Sequence, residues 1–324
     1  LSARFPKSAG EAAYVDAAFG SRHFSTLVGL AVVIVGSVSS AVLVRGFAGY
    51  FVNLVPVPEL AVMLVTIGFV TAVAVWGIGE SLTIAAFITL FEIAGLVFVI
   101  YAVFDPQLIQ EQQLPEVANV FDHQAAIFLG AFICFYAFIG FEDIVNLAEE
   151  TLDPSRVLPL AIVLSIVIST SLYVALSFAT ILFVPMDVFA RSEAPLVEIV
   201  KYKGYSPYVM GVLSMVAIIN GALIQIIMAS RVLYGMGAQG LFLAVFSRVN
   251  ARTRTPIIAT LSLATFITVL AVSFPLVELA AATSAITLGV FMCVQAALFG
   301  LALRDRFNSK LDVIVPAVGI SLNV

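Results

Sequence analysis

Long apolar runs alternate with short polar islands along the whole chain. The runs, uncharged or nearly so, are Phe24–Val44, Leu60–Gly79, Ser81–Phe104, Gln124–Phe141, Val157–Met186, Tyr205–Ser230, Thr255–Val277 and Leu279–Leu303. A helix rising 1.5 Å per residue needs about 20 residues to cross a hydrocarbon core of about 30 Å. The pattern predicts eight spanning helices in one integral membrane domain over residues 1–324, with no linker and no low-complexity segment.

The fourth run closes differently from the others. It passes into Ile139-Gly140-Phe141-Glu142-Asp143, then Asn146-Leu147-Ala148-Glu149-Glu150, and ends at Asp153-Pro154. A helix-weakening glycine therefore stands beside two carboxylates at the end of an apolar stretch. A spanning helix that comes apart at depth is tolerated only where its freed backbone faces protein or a wet cavity, and solute transporters build substrate sites from such breaks. The residues alone leave two readings open. The helix unwinds around Ala137–Gly140, or it simply ends at Gly140 with Glu142 and Asp143 in water.

Composition agrees with the membrane class. Hydrophobic residues are 62% of the chain and charged residues 11%, with mean hydropathy +1.13, far from a soluble domain. Of the 15 Lys and Arg, alternate loops put Arg4, Lys7, Arg22, Arg156, Arg231, Arg248, Arg252, Arg254, Arg304, Arg306 and Lys310 on one side, and only Arg45, Arg191, Lys201 and Lys203 on the other. That bias predicts a multi-pass protein of the cell membrane with both ends of this chain in the cytoplasm. The net charge of −5 says nothing about nucleic acid; with no basic patch interleaved with aromatics, no nucleic-acid partner is expected. With no initiator Met and an apolar remnant at each end, the sequence is expected to be a piece of a longer chain.

Polar residues inside the runs carry the remaining signal. Glu92 lies 11 positions beyond Ser81, about 16 Å deep at 1.5 Å per residue. A carboxylate there must be protonated, paired or facing a wet cavity. It is a candidate for the protonatable coupling group, with a structural hydrogen bond to a neighbouring helix as the other reading. Asn220 and Gln225 suit interhelical hydrogen bonds, with a role in the site as the alternative. The same holds for Ser37, Ser39, Ser40, Ser284, Thr287 and Gln295. Arg45 is expected to snorkel to the interface. Gly235-Met236-Gly237-Ala238-Gln239-Gly240 spells GxGxxG, but it follows a membrane helix and not a strand, so no dinucleotide site is predicted. Cys134 and Cys293 read as small core residues, His23 and His123 lie far apart, and no Walker motif, nucleophile elbow or HExxH is present. No cofactor or metal is predicted.

Tyr136-Ala137-Phe138-Ile139-Gly140-Phe141-Glu142, with Asn146 to Glu150 and Asp153-Pro154, resembles the sixth-helix signature of the amino acid–polyamine–organocation permeases. Ser230-Arg231-Val232-Leu233-Tyr234-Gly235-Met236 and Asn250 to Pro256 resemble that family's eighth helix and following loop. Arg4-Phe5-Pro6, with Gly10-Glu11 and Tyr14-Val15, resembles its second-to-third helix hairpin. The resemblance implies an all-α, LeuT-like inverted-repeat fold, with this chain supplying helices three to ten. It implies substrate contacts at Tyr136, Ala137, Phe138, Ile139 and Gly140, Tyr136 being the gating aromatic, and coupling or gating at Glu142. Gln239 and Leu160 depart from the family pattern, where an acidic and a basic residue are common.

The expectation is a secondary active transporter, not an enzyme, moving an amino acid or organic amine by alternating access. Its partners would be the lipid bilayer and a coupling ion, H+ rather than Na+, or a counter-substrate. The alternatives are a membrane-embedded enzyme, for which no His/Asp/Glu/Cys cluster appears at depth, and a scaffold or sensor, for which a broken helix has no evident use. Glu92, Glu142 and Asn220 are the coupling or gating candidates.

Overall fold

A computed structural model describes residues 10–76, 81–104, 124–145, 151–192 and 194–303, plus positions 1, 316, 318 and 319; of residues 81–86 it describes the backbone only. Every described element is helical: α1 (Gly10–Phe19), α2 (Arg22–Leu54), α3 (Glu59–Trp76), α4 (Ser81–Val103), α5 (Gln124–Phe135), α6 (Pro154–Phe183), α7 (Pro195–Tyr202), α8 (Pro207–Ala238), α9 (Ile257–Ser273) and α10 (Leu276–Leu303). The chain is an all-α, multi-pass membrane protein. A helix occupies each of the eight predicted runs. Among the described residues, six spans are long and apolar enough to cross a bilayer, and Phe87–Val103 and Ile257–Ser273 are shorter apolar helices.

Local chemistry sets the helix ends. Ser21 accepts from the amide of Phe24 at the start of α2, satisfying a donor that the helix cannot pair internally. Proline opens α6, α7 and α8, where its missing N–H costs nothing.

The centre of the molecule is the long pairing of α2 with α8, flanked by α3, α9 and α10. Lipid gives helices no hydrophobic reason to associate, so close approach of small residues does the work. A Cβ added at Gly36 on α2 would lie 3.0 Å from the Cβ of Ala229 and 3.4 Å from the Gln225 carbonyl oxygen on α8. Ser40 reaches the Ala222 carbonyl across the same contact, at 3.5 Å. Two smaller clusters complete the core. One joins α4, α6, α7 and α8 around Val99 and Val200, and the other seats α1 against α2 and α10 around Val15 and Leu301.

Arg45 does not snorkel outward on its own. Its guanidinium donates to the Ala271 carbonyl at 2.7 Å and pairs with Glu59 at 3.5 Å, tying α2 to α9 and α3. Five donors on one planar group explain the choice, since an unoccupied carbonyl and a carboxylate both lie within its span.

Candidate functional site: a broken helix between two cavities

The fourth run unwinds where its sequence predicted. Helix α5 stops at Phe135, a 3₁₀ turn covers Tyr136–Phe138, and Ile139 is extended at φ −62°, ψ 133°. Gly140 then takes φ 123°, far outside the small left-handed region open to other residues. A second 3₁₀ turn follows over residues 142–145. The reading in which the helix ends and its carboxylates enter water is not what is found. The chain continues in a folded turn, with Glu142 and Asp143 partly buried.

The freed backbone groups have specific partners. Gly140 donates its amide to Glu142 Oε2 at 2.8 Å, and Asp143 donates its own to the Gly140 carbonyl at 3.2 Å. From α6, Tyr173 donates its hydroxyl to the Ala137 carbonyl at 2.8 Å and sets its ring edge-on to Phe138, with centroids 5.2 Å apart. Tyr136 points the other way, to α2, where its hydroxyl lies 3.4 Å from Ser39 Oγ.

The break divides two spaces. On the α6 side, a cavity of about 240 Å³ is lined by Ala137, Phe138, Ile139 and Gly140, with Ser165 and Tyr173 opposite. On the other side lies a chamber of about 20 Å³, bounded by Glu11, Glu142, Asp143 and Thr287 among apolar side chains of α2, α8 and α10. The smaller space has room for one water-sized occupant. Asp143 Oδ2 accepts from Gln225 Nε2 at 2.7 Å. Burial, together with the negative charge of Glu142, pushes the Glu11 carboxyl up to about 7.

The expected residues thus fall into three places. Ala137 to Gly140 line the larger cavity, and Tyr136 turns away from it toward Ser39. Glu142 faces the smaller chamber. Glu92 and Asn220 are elsewhere, on α4 and α8, with Asn220 Nδ2 at 3.5 Å from Glu92 Oε1. That contact is the interhelical hydrogen bond weighed for both residues. Sequence reasoning missed Tyr173 and Glu11 as neighbours of the break, and it left Thr287 between a helix contact and a role in the site. A carboxylate in Gly10-Glu11-Ala12-Ala13, with no counter-charge adjacent, was the available signal for Glu11. Asn146 to Glu150 and Arg4 to Lys7 lie outside the described residues.

A family profile described as amino acid permease matches residues 1–313. The chain belongs to the amino acid permease family. Over 178 residues the permease is 30% identical to the branched-chain amino acid permease BcaP of Bacillus subtilis, covering 54% of this chain and 38% of that protein. It is 31% identical over 170 residues to cationic amino acid transporter 4 of Mus musculus, covering 52% and 26%. The vacuolar cationic amino acid transporter 4 of Arabidopsis thaliana is 27% identical over 245 residues, covering 74% and 40%. The chain spans at most about two-fifths of the length of each of these relatives.

Proposed function

We propose that this permease chain is part of a secondary active transporter that moves amino acids by alternating access. The observation that carries the reading is the break itself: Ala137 to Gly140 unwind along the wall of a 240 Å³ cavity. Backbone groups at such a break meet the charged ends of a free amino acid, N–H toward carboxylate and C=O toward ammonium. The relatives' names, branched-chain amino acid permease and cationic amino acid transporter, fit this class of cargo.

The lining also bears on which amino acid. The described residues around the larger cavity are apolar or hydroxyl-bearing, with no charged side chain. The carboxylates Glu142 and Asp143 line the opposite chamber. An uncharged, apolar side chain therefore suits the cavity better than a cationic one, and the carboxylates are left for coupling, with H+ rather than Na+ as the ion. The bias of Lys and Arg between alternate loops supports cytoplasmic ends for this chain in a cell membrane.

The test is uptake of a panel of labelled amino acids into proteoliposomes bearing the full-length protein, with and without an inward proton gradient. Saturable uptake of branched apolar amino acids, increased by the gradient, is expected. If no amino acid moves under either condition while the protein remains folded, the transporter reading fails. Chemical conversion without movement across the membrane would instead favour an enzyme.

A further inference from the structure

The small chamber beside the break holds more unsatisfied polarity than a packing defect explains. Glu11 is 5% exposed and Thr287 2% exposed. Glu11 Oε2 and Thr287 Oγ1 are both buried, and neither makes a hydrogen bond among the described residues. Both line the space that Glu142 and Asp143 also face. Buried polar atoms are nearly always paired, so two orphans facing one chamber need an occupant or a function. Three carboxyl groups around one small buried space cannot all be ionised without a compensating positive charge. Among the described residues, no three acidic groups converge closely enough to hold a metal ion. The charge that fits is a proton.

The geometry points to a proton-binding site formed by Glu11, Glu142 and Asp143, with Glu11 as the exchanging group and Thr287 as the hydroxyl that relays to it. Glu142 and Asp143 are each occupied on one oxygen, by Gly140 and Gln225. Glu11 Oε2 is the fully buried carboxyl oxygen with no hydrogen bond among the described residues, and it is carried on α1, a separate short helix and not one of the long spans. Its carboxyl, raised to about 7, gains and loses a proton near neutral pH.

Among the described residues, the groups around it are few. Tyr14 on α1 carries its own burial and feels the charge of Glu11. Helix α2 presents Val32, Val35 and Gly36 to the chamber, and α8 presents Met228, Ala229 and Val232. The other charged or titratable groups on the helices around the chamber are Asp16, which accepts from Ser25 at 3.5 Å, Arg22, His23, Arg45, Tyr50, Tyr208, Arg231, Tyr234, Glu278 and Cys293, and none of them lines it. With Glu11 protonated, α1 can rest against the break. With Glu11 ionised, like charges oppose each other in a low-dielectric space and push α1 and the broken segment apart.

The use of this site rests on the transporter reading; its existence does not. Infrared difference spectra of the full-length protein in lipid, taken between about pH 5 and pH 9, read the protonated-carboxyl C=O band directly. A band that disappears with a midpoint near neutral pH in the wild type, and is absent in Glu11→Gln, is expected. Thr287→Val keeps the test decisive should Glu11→Gln not fold, because loss of the hydroxyl should move the midpoint upward. The same band and midpoint in both variants would overturn the proposal. So would a band abolished by sodium at fixed pH, which would make the occupant a metal cation. Uptake without any change in the titration sinks this inference alone; a Glu11-dependent titration without uptake sinks the transport reading alone.

Discussion

Gly140 gives its amide to the carboxylate of Glu142, two positions further along the chain and 2.8 Å away. The residue that lets the helix open and the residue that receives the exposed donor are therefore one local unit. Without that acceptor the amide would be a partly buried donor left unpaired where the helix opens. The break is therefore held partly from within, beside the distant contacts of Tyr173 with Ala137 and Gln225 with Asp143.

Glu142→Ala leaves that amide without its acceptor, at a cost of about 1–3 kcal/mol for an unsatisfied buried donor. Glu142→Gln keeps an acceptor at the same distance and should lose less. Thermal unfolding of the two variants in detergent checks the order; equal losses would show that the Gly140 bond carries no stability.

Gly140→Ala tests backbone conformation in isolation. A Cβ there would meet nothing within 4 Å, yet φ is 123°, a region that costs other residues about 1–3 kcal/mol or more. Destabilisation with a sharp fall in uptake is expected. Wild-type stability would mean that the break tolerates an ordinary φ.

Tyr173→Phe removes only the hydroxyl that holds the Ala137 carbonyl and preserves the ring contact with Phe138. We expect a stability loss of about 0.5–1.5 kcal/mol together with weaker substrate affinity, measured as a rise in the half-saturation concentration for uptake. An unchanged half-saturation would remove Tyr173 from the cavity's machinery.

The raised carboxyl of Glu11 gives a pH dependence with a definite sign. An ordinary glutamate titrates at 4.5 and this one at about 7. Between those values the folded protein holds a proton that the unfolded chain has released. Stability from this group is therefore greatest below pH 4.5, falls as pH rises to about 7, and is level above that, a total of roughly 3 kcal/mol at 1.36 kcal/mol per pKa unit. Glu11→Gln should match the wild type in acid and exceed it above neutral pH. Unfolding temperatures of both proteins across pH decide it, and parallel curves would count against a buried Glu11.

Glu92 and Asn220 face each other at 3.5 Å, the long end of a hydrogen bond. Asn220→Ala should cost no more than about 1 kcal/mol, as for other interhelical bonds in membranes. If Glu92→Gln leaves gradient-driven accumulation unchanged, Glu92 is structural glue and the coupling role passes entirely to the carboxylates at the break.

The membrane class, the eight helices and the break at Gly140 are legible in the sequence because each is a local property: run length, charge placement, and a glycine next to carboxylates. What is not legible is who faces whom. Gln225 meets Asp143 across 82 positions and Tyr173 meets Ala137 across 36. Both contacts depend on how helices lie side by side, which no spacing rule encodes. Tyr136 shows the same limit. It sits in the expected segment, but a 3₁₀ turn rotates its hydroxyl toward Ser39, away from the cavity lined by its neighbours. Arg45 looks like a surface anchor until α9 supplies a carbonyl within its reach.

The same few residues of backbone form the wall of both cavities, with Gly140 on one face and Glu142 on the other. Two ligands that press on a shared hinge are bound by thermodynamic reciprocity: any factor by which a proton on one face alters cargo affinity, the cargo must return to the proton. On the proposed transport reading, a single turn of chain would then serve as the exchange point between an ion gradient and a solute, without a relay of residues running across the protein.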